Sequence, residues 1–291
     1  MTNRTQRVPL RDVSHLRLSI SDDDGWIEQL NWIPVGVSEY HLACRHFPFA
    51  VRIVDQRPEL GLLVHSRYLV RPLLDKASKW CGVYRPIALR CFPFEADGLH
   101  RDPLSDITVP AGSDHLSASH GISLVDQDGG PSAALTEIHR LLTLLNRSRE
   151  IFADALDHYL IADLLTPLSG HPGGDQSLYV IDRNRFDHMD HTALAAMARH
   201  KLLSVDLAVA WTFSLQNLQA SCLPEKPGHA RNQGIAPLAS LSQPASILMD
   251  ELALVLDDGE LVSLDCMDGD LARLVAHPPG SVAAHGTGPV A

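Results

Sequence analysis

EYHLACRHFPFAVRIV, residues 39–54, decides the fold, because its Arg-x-Phe-Pro-Phe word is written twice in the chain. Residues 84–94 read YRPIALRCFPF. Set under 39–49, they place Ile87 with Leu42, Ala88 with Ala43, Arg90 with Arg45, and a second Phe-Pro-Phe under the first. Upstream, Ser38 is a good helix N-cap in one copy, and Pro86 suits a first helical turn in the other. The residue before a proline is pushed toward extended backbone, so Phe47 and Phe92 should end a short helix. Proline then fits the first residue of a strand, where no ladder donor is needed. Each copy predicts a helix-to-strand corner, with Phe49 or Phe94 anchoring the outgoing strand in the core. Phe47, Phe49, Phe92 and Phe94 have a second reading, as an aromatic-proline ligand-binding face.

Outward from the first copy, FAVRIV (49–54) and LGLLVH (60–65) read as an antiparallel pair joined tightly through 55–59, which contains Pro58. Residues 98–121 are polar and broken and predict a long loop. Ile122 to Val125 reads as a strand, followed by a turn at DQDGG (126–130). Pro131 opens the longest helical pattern: Leu135, Ile138, Leu142, Leu145, Ile151 or Phe152, Leu156 and Tyr159, with NRSRE (146–150) marking a bend and Pro167 a stop. Leu178 to Ile181 predicts a strand, and Thr192 to Gln216 a second helical segment that carries Trp211. The run from Leu223 to Pro244 is a linker or surface loop, and Asp257-Asp258-Gly259 signals a hairpin within 247–265. The fold class is α+β: a mostly antiparallel sheet from the N-terminal half, packed on long helices of the C-terminal half, with an internal helix-to-strand repeat. The expected division is an extension over 1–31, a core domain over 32–220, a loop and hairpin over 221–269, and a disordered tail over 270–291.

A formal charge of −11 over 291 residues argues against nonspecific binding to nucleic acid or anionic lipid, which require a positive surface. Five cysteines without a CxxC pair predict reduced thiols. MTNRTQRVPLRD lacks the apolar core of a signal peptide, and no stretch approaches the roughly 20 apolar residues of a membrane helix. These features predict a cytoplasmic chain with no integral membrane segment, with secretion by another route left open.

Among sixteen histidines, His188 and His191 are the candidate metal ligands, with Asp187 or Asp190 as the carboxylate. Their spacing puts both rings on one face only if the segment is helical, and Asp190 reads equally well as a helix N-cap. Cys44 with His41 or His46 is a candidate dyad. DQDGG matches half of a calcium loop, but Pro131 stands where that loop requires a turn glycine. No HExxH, P-loop or G-x-S-x-G motif occurs. Trp80, Tyr84 and Trp211 would line an apolar small-molecule cavity, or else pack in the core.

The order of these features resembles the SapC-like family, bacterial proteins named for an association with a surface layer. HFPFAVRIV, PELGLLV, YRPIALRCFPF, LVDQDGGPSAALTEIHRLLTLLNRSRE, LLTPL, LYVIDRNRFDHM and LAVAWTFSLQNLQ carry the resemblance, from about Trp32 to Gln219. RYLVRPLLDKASKWCG (67–82) is longer than the turn the family leads one to expect, and the segment after Leu223 lies beyond the family core. The resemblance implies a non-catalytic accessory or binding protein with a protein partner, tied to a surface-layer, export or outer-membrane uptake system. It carries no catalytic residues and assigns no cofactor. The alternative is a metal-dependent, oxygenase-like or peptide-modifying enzyme.

Overall fold

The computed structural model describes residues 6–19, 23–96, 102–168, 178–200 and 202–223. The hairpin expected within 247–265 and the tail over 270–291 lie outside the described residues. In chain order the strands are β1 (Arg7–Pro9), β2 (Arg17–Leu18), β3 (Trp32–Pro34), β4 (Phe49–Val54), β5 (Arg57–Leu63), β6 (Glu95–Ala96), β7 (Ile107–Pro110), β8 (Leu116–Ser117), β9 (Ile122–Ser123), β10 (Leu165–Pro167) and β11 (Leu178–Ile181). The helices are α1 (Tyr40–Ala43), α2 (Ile87–Arg90), α3 (Pro103–Asp106), α4 (Ala133–Ile161), α5 (Arg183–Asp187), α6 (His191–His200) and α7 (Leu202–Ser214). The class is α+β, and every strand pairing is antiparallel.

Each copy of the duplicated word leads a short helix toward a strand. α1 leads into β4 and α2 into β6; Phe49 opens β4, Phe94 lies just before β6, and both are buried. The Phe92–Pro93 bond of the second copy is cis. The first corner opens the main sheet, ordered β10-β11-β4-β5-β3. β4 and β5 join through Asp55 and Gln56, both at positive φ, the two-residue turn whose twist suits a hairpin. Strand pairing resumes at Arg57, so the connection is shorter than the 55–59 span expected, and Pro58 pairs with Ile53 inside the ladder.

Side chains alternate across this sheet. Phe49, Val51, Leu60 and Leu62 face the main core with α4 and α7. Ala50 and Leu63 face a smaller layer with Tyr68, Leu178, Val180 and Leu218. On that second face the Trp32 indole lies across Gly61 and donates to the Ala50 carbonyl at 2.9 Å. The Arg52 guanidinium stacks on the same ring, 3.8 Å from its centre, and pairs with Glu59 at 2.7 Å.

α4 starts at Ser132, whose hydroxyl accepts from the Leu135 amide, a standard N-cap. Its buried side chains include Leu135, Ile138, Leu142, Leu145, Phe152, Leu156 and Tyr159. Phe152 therefore takes the place for which Ile151 competed, and Ile151 is exposed. The helix runs without interruption through NRSRE, where a bend was expected. α7 holds the entry to β4: the Trp211 indole donates to the Phe49 carbonyl at 2.9 Å, and the Ser214 hydroxyl accepts from the Phe49 amide at 3.0 Å. Phe49 lies beyond the stretch of β4 paired with β11, so these side chains satisfy backbone groups that would otherwise be buried and unpaired.

Three expectations change in detail. The segment set apart as an extension is woven into the body: β1 pairs with β7, and Leu10 and Ile27 are fully buried. The polar stretch 98–121 holds α3, β7 and β8 among its described residues. The helical segment expected over Thr192–Gln216 begins one residue earlier, at His191 of α6, and α7 ends at Ser214. Two- to four-residue elements leave too few side chains for a periodicity to show. Two small sheets, β1-β7-β6 and β8-β2-β9, complete the fold.

A Cβ at Gly61 would lie 2.2 Å from the Ile33 carbonyl oxygen and 2.2 Å from the Trp32 ring. Gly61→Ala should therefore cost about 1–3 kcal/mol through overpacking, read as a lower denaturant midpoint at unchanged slope.

Candidate binding face

Two buried carboxylates build the region around the repeated words. Glu39 is the first residue of the first copy and is 1% exposed. Its Oε1 accepts from the Gly36 amide at 2.9 Å. Its Oε2 accepts from the Ile87 amide at 2.9 Å and from the Tyr84 hydroxyl. The first copy thus caps the helix of the second. Burial raises the Glu39 carboxyl above its ordinary value, opposed by the Tyr84, Ile87 and Gly36 hydrogen bonds and by the charge of Arg90.

Asp24, also buried, ties the chain before β3 to residues 80–85. Its Oδ2 accepts from the Trp80 amide at 3.0 Å, and its Oδ1 takes the Arg85 guanidinium at 2.7 Å. That guanidinium lies 5.9 Å from the Trp26 ring centre and 5.6 Å from that of Trp80, inside cation–π range. Trp26 stacks on Phe92 with ring centres 4.1 Å apart. His115 stands edge-on to both, at 5.3 Å from Trp26 and 5.0 Å from Phe92. Burial keeps the His115 imidazole below its ordinary pKa, with Asp114 opposing. Trp26, Trp80, Arg85, Phe92 and His115 are all half-buried, so this aromatic face reaches solvent.

The seven candidate ligand-binding residues separate on burial. Phe47, Phe49, Phe94 and Trp211 are in the core, and Tyr84 is buried with its hydroxyl on Glu39. Trp80 and Phe92 belong to the aromatic face. Trp26, Arg85 and His115 were not among the candidates. Trp26 sits in the presumed extension and His115 in the presumed loop, and no spacing links either to Phe92. The one available signal was that Trp26 is one of only four tryptophans in the chain.

His188 and His191 are both exposed. His188 follows α5 and His191 begins α6, so the chain between them is a turn and the helical condition for a shared face is not met. The His188 ring nitrogen Nδ1 hydrogen-bonds the Asn184 carbonyl at 2.8 Å, and Asp190 accepts from the Thr192 amide at 2.9 Å. Among the described residues no group of three or more His, Cys, Asp or Glu side chains is placed to hold a metal ion. Asp126 accepts from the Asp128 and Gly130 amides in a turn closed on itself.

The Cys44 thiol donates to the His41 carbonyl at 3.1 Å rather than meeting an imidazole, and burial raises its pKa. The His41 ring instead meets Asp206 on α7 at 3.0 Å, and the Tyr40 hydroxyl donates to the same carboxylate oxygen. Elsewhere, β1, β7 and β8 border a half-open cleft of about 380 Å³, lined by Val8, Leu16, Val109, Leu116, Ser117 and His120. It lies apart from Trp80, Tyr84 and Trp211.

The SapC family profile matches residues 10–220, most of the chain and nearly all of the body just described. This chain belongs to the SapC family. The SapC match begins at Leu10, the first fully buried residue among those described, and so takes in the segment that carries Trp26. No curated protein and no solved structure matches the chain.

Glu39→Ala should leave the buried Gly36 and Ile87 amides without their acceptor and cost about 3 kcal/mol or more, with Glu39→Gln milder; chemical denaturation measures both. The folded-state pKa of Glu39 lies above its unfolded value, so folding takes up a proton between the two. Its contribution to stability therefore grows as pH falls through the raised value toward the ordinary glutamate range and levels off below it. Unfolding curves across acidic pH should show this dependence in the wild type and lose it in Glu39→Gln.

Proposed function

We propose that this SapC-family chain is a non-catalytic binding protein that captures a protein partner on the aromatic face. One observation carries the reading. The stacked Trp26–Phe92 pair and the edge-on His115 come from three separate chain segments, have Trp26 set beside the guanidinium of the Asp24–Arg85 pair, and still reach solvent. Aromatic side chains and arginine are the residue types enriched at protein interfaces. Rigid rings held in place before contact lose little freedom on binding. The resemblance to surface-layer-associated proteins directs the reading further, to an accessory of a bacterial surface-layer, export or outer-membrane uptake system.

The enzyme reading has one observation in its favour. Tyr40 and His41 share the Asp206 carboxylate, an arrangement that orients an imidazole for proton transfer.

A tagged chain recovered from its source cells tests the two together by mass spectrometry and metal analysis of one eluate. Trp26→Ala and Phe92→Ala, made singly, should each reduce recovery of a stoichiometric partner about tenfold while thermal unfolding stays cooperative. His41→Ala should leave recovery unchanged. A metal-loaded chain with no partner would replace the binding reading with the enzymatic one.

A further inference from the structure

The acidity of this chain is unevenly placed. Residues 65–90 contain six Lys or Arg and one Asp, a local balance of +5 in a chain of −11. The remaining residues therefore carry 18 Lys or Arg against 34 Asp or Glu, a balance of −16. The single acid within this stretch, Asp75, is occupied by the Ala77 and Lys79 amides, and Asp24 from outside it is taken up by Arg85.

The first copy of the repeated word adds to this lobe. Asn217, just after α7, donates from Nδ2 to the Cys44 carbonyl at 3.0 Å and accepts the Val70 amide on its own carbonyl at 2.9 Å. Gln219 continues the attachment, donating from Nε2 to the Leu69 carbonyl at 3.0 Å and from its amide to the Tyr68 carbonyl at 2.8 Å. The stretch 217–219 thereby fixes residues 44–46 beside residues 68–71. Arg45 and Arg71 are exposed, and neither makes an ion pair or a side-chain hydrogen bond among the described residues. His46 lies between them: burial lowers its pKa, and the charges of Arg45 and Arg71 lower it further. Val70, adjoining Arg71, is 57% exposed, and Val83 in the same lobe is 89% exposed.

Arg45 and Arg71 stand on neighbouring stretches of backbone, pinned by two amide side chains, with no ion-pair partner among the described residues. Two like charges so placed favour an anionic group from another molecule.

We infer that Arg45, His46 and Arg71 form a cationic docking site for a partner protein segment that mixes carboxylates with apolar side chains. The inference builds on the binding-protein reading and gives the partner its chemistry. Guanidinium groups pair with carboxylates through parallel hydrogen bonds, and Val70 and Val83 supply the apolar contact. The choice of a compact acidic segment over an extended anionic surface follows from the charge balance. A lipid bilayer or a nucleic acid, anionic over an extended surface, is opposed by the net charge of −11 on the whole chain.

The test uses the full chain and a fluorescein-labelled peptide of repeated Glu-Glu-Leu units, followed by anisotropy. Binding is expected at low salt, weakening steadily as salt rises, and weakening about tenfold or more in Arg45→Glu/Arg71→Glu. Both arginines are exposed, so the double variant should keep the wild-type melting curve. A peptide of repeated Lys-Lys-Leu should not bind, and Trp26→Ala should still bind the acidic peptide. Equal binding by wild type and double variant, or no binding by either, would overturn the inference. So would preferential binding to phosphatidylserine vesicles, or self-association that the double variant abolishes, which would assign the surface to a membrane or to a second copy. The binding-protein reading fails separately, if Trp26→Ala and Phe92→Ala leave partner recovery intact.

Discussion

A single buried carboxylate joins the two halves of the repeat. Glu39 accepts three hydrogen bonds, one from the turn before it at Gly36 and two from the second copy at Tyr84 and Ile87. A charge taken out of water costs several kcal/mol unless donors surround it. The same requirement makes Glu39 a strict positioning device. α2 is a helix of four residues, too short to be stable on propensity alone. Its first amide finds an acceptor only where Glu39 stands. With α2 placed, the second Phe-Pro-Phe word is placed, and Phe92 comes to lie against Trp26.

The duplication has diverged in what its matched positions do. Phe47 is fully buried, whereas its counterpart Phe92 forms part of the exposed stack. Arg45 points its charge to solvent beside Arg71, whereas its counterpart Arg90 is half-buried and places its charge near Glu39. In both corners a short helix stops ahead of Phe-Pro, but the Phe92–Pro93 peptide bond is cis and the Phe47–Pro48 bond is trans, so the two backbones are not superposable. They differ in surroundings: the first opens the central hairpin of the main sheet, and the second opens an edge strand of a small one. One local instruction thus serves packing in one place and display in another.

The aromatic face is supported from beneath by Asp24. Its two oxygens hold the Trp80 backbone and the Arg85 guanidinium, and Arg85 then sits under two indole rings. A partly buried ion pair of this kind contributes little net stability when compared with apolar packing. Its value here is geometric, because it holds the Trp26 and Trp80 rings, from distant segments, around one guanidinium. α7 does comparable work for the main sheet, where Trp211 and Ser214 close the open backbone groups of Phe49.

The sequence alone determined the elements whose signals are local. The two helix-to-strand corners, the β4–β5 pair, the buried stripe of α4 and the α+β class were all legible, because proline sterics, period-2 alternation and helical spacing act between residues close in the chain. Trp80 and Phe92 were named from it as aromatic candidates, but not what they touch. The tertiary structure decided which aromatics are core and which are surface, and brought in Trp26, Arg85 and His115. It also wove the described residues before β3 into the body and set Arg45 beside Arg71. These are contacts between segments tens of residues apart, fixed by buried carboxylates and by the side chains of Asn217 and Gln219. A hydrogen bond leaves no periodicity in the chain that makes it, so the partners of Glu39, Asp24 and Asn217 could be read only once the fold had brought them together.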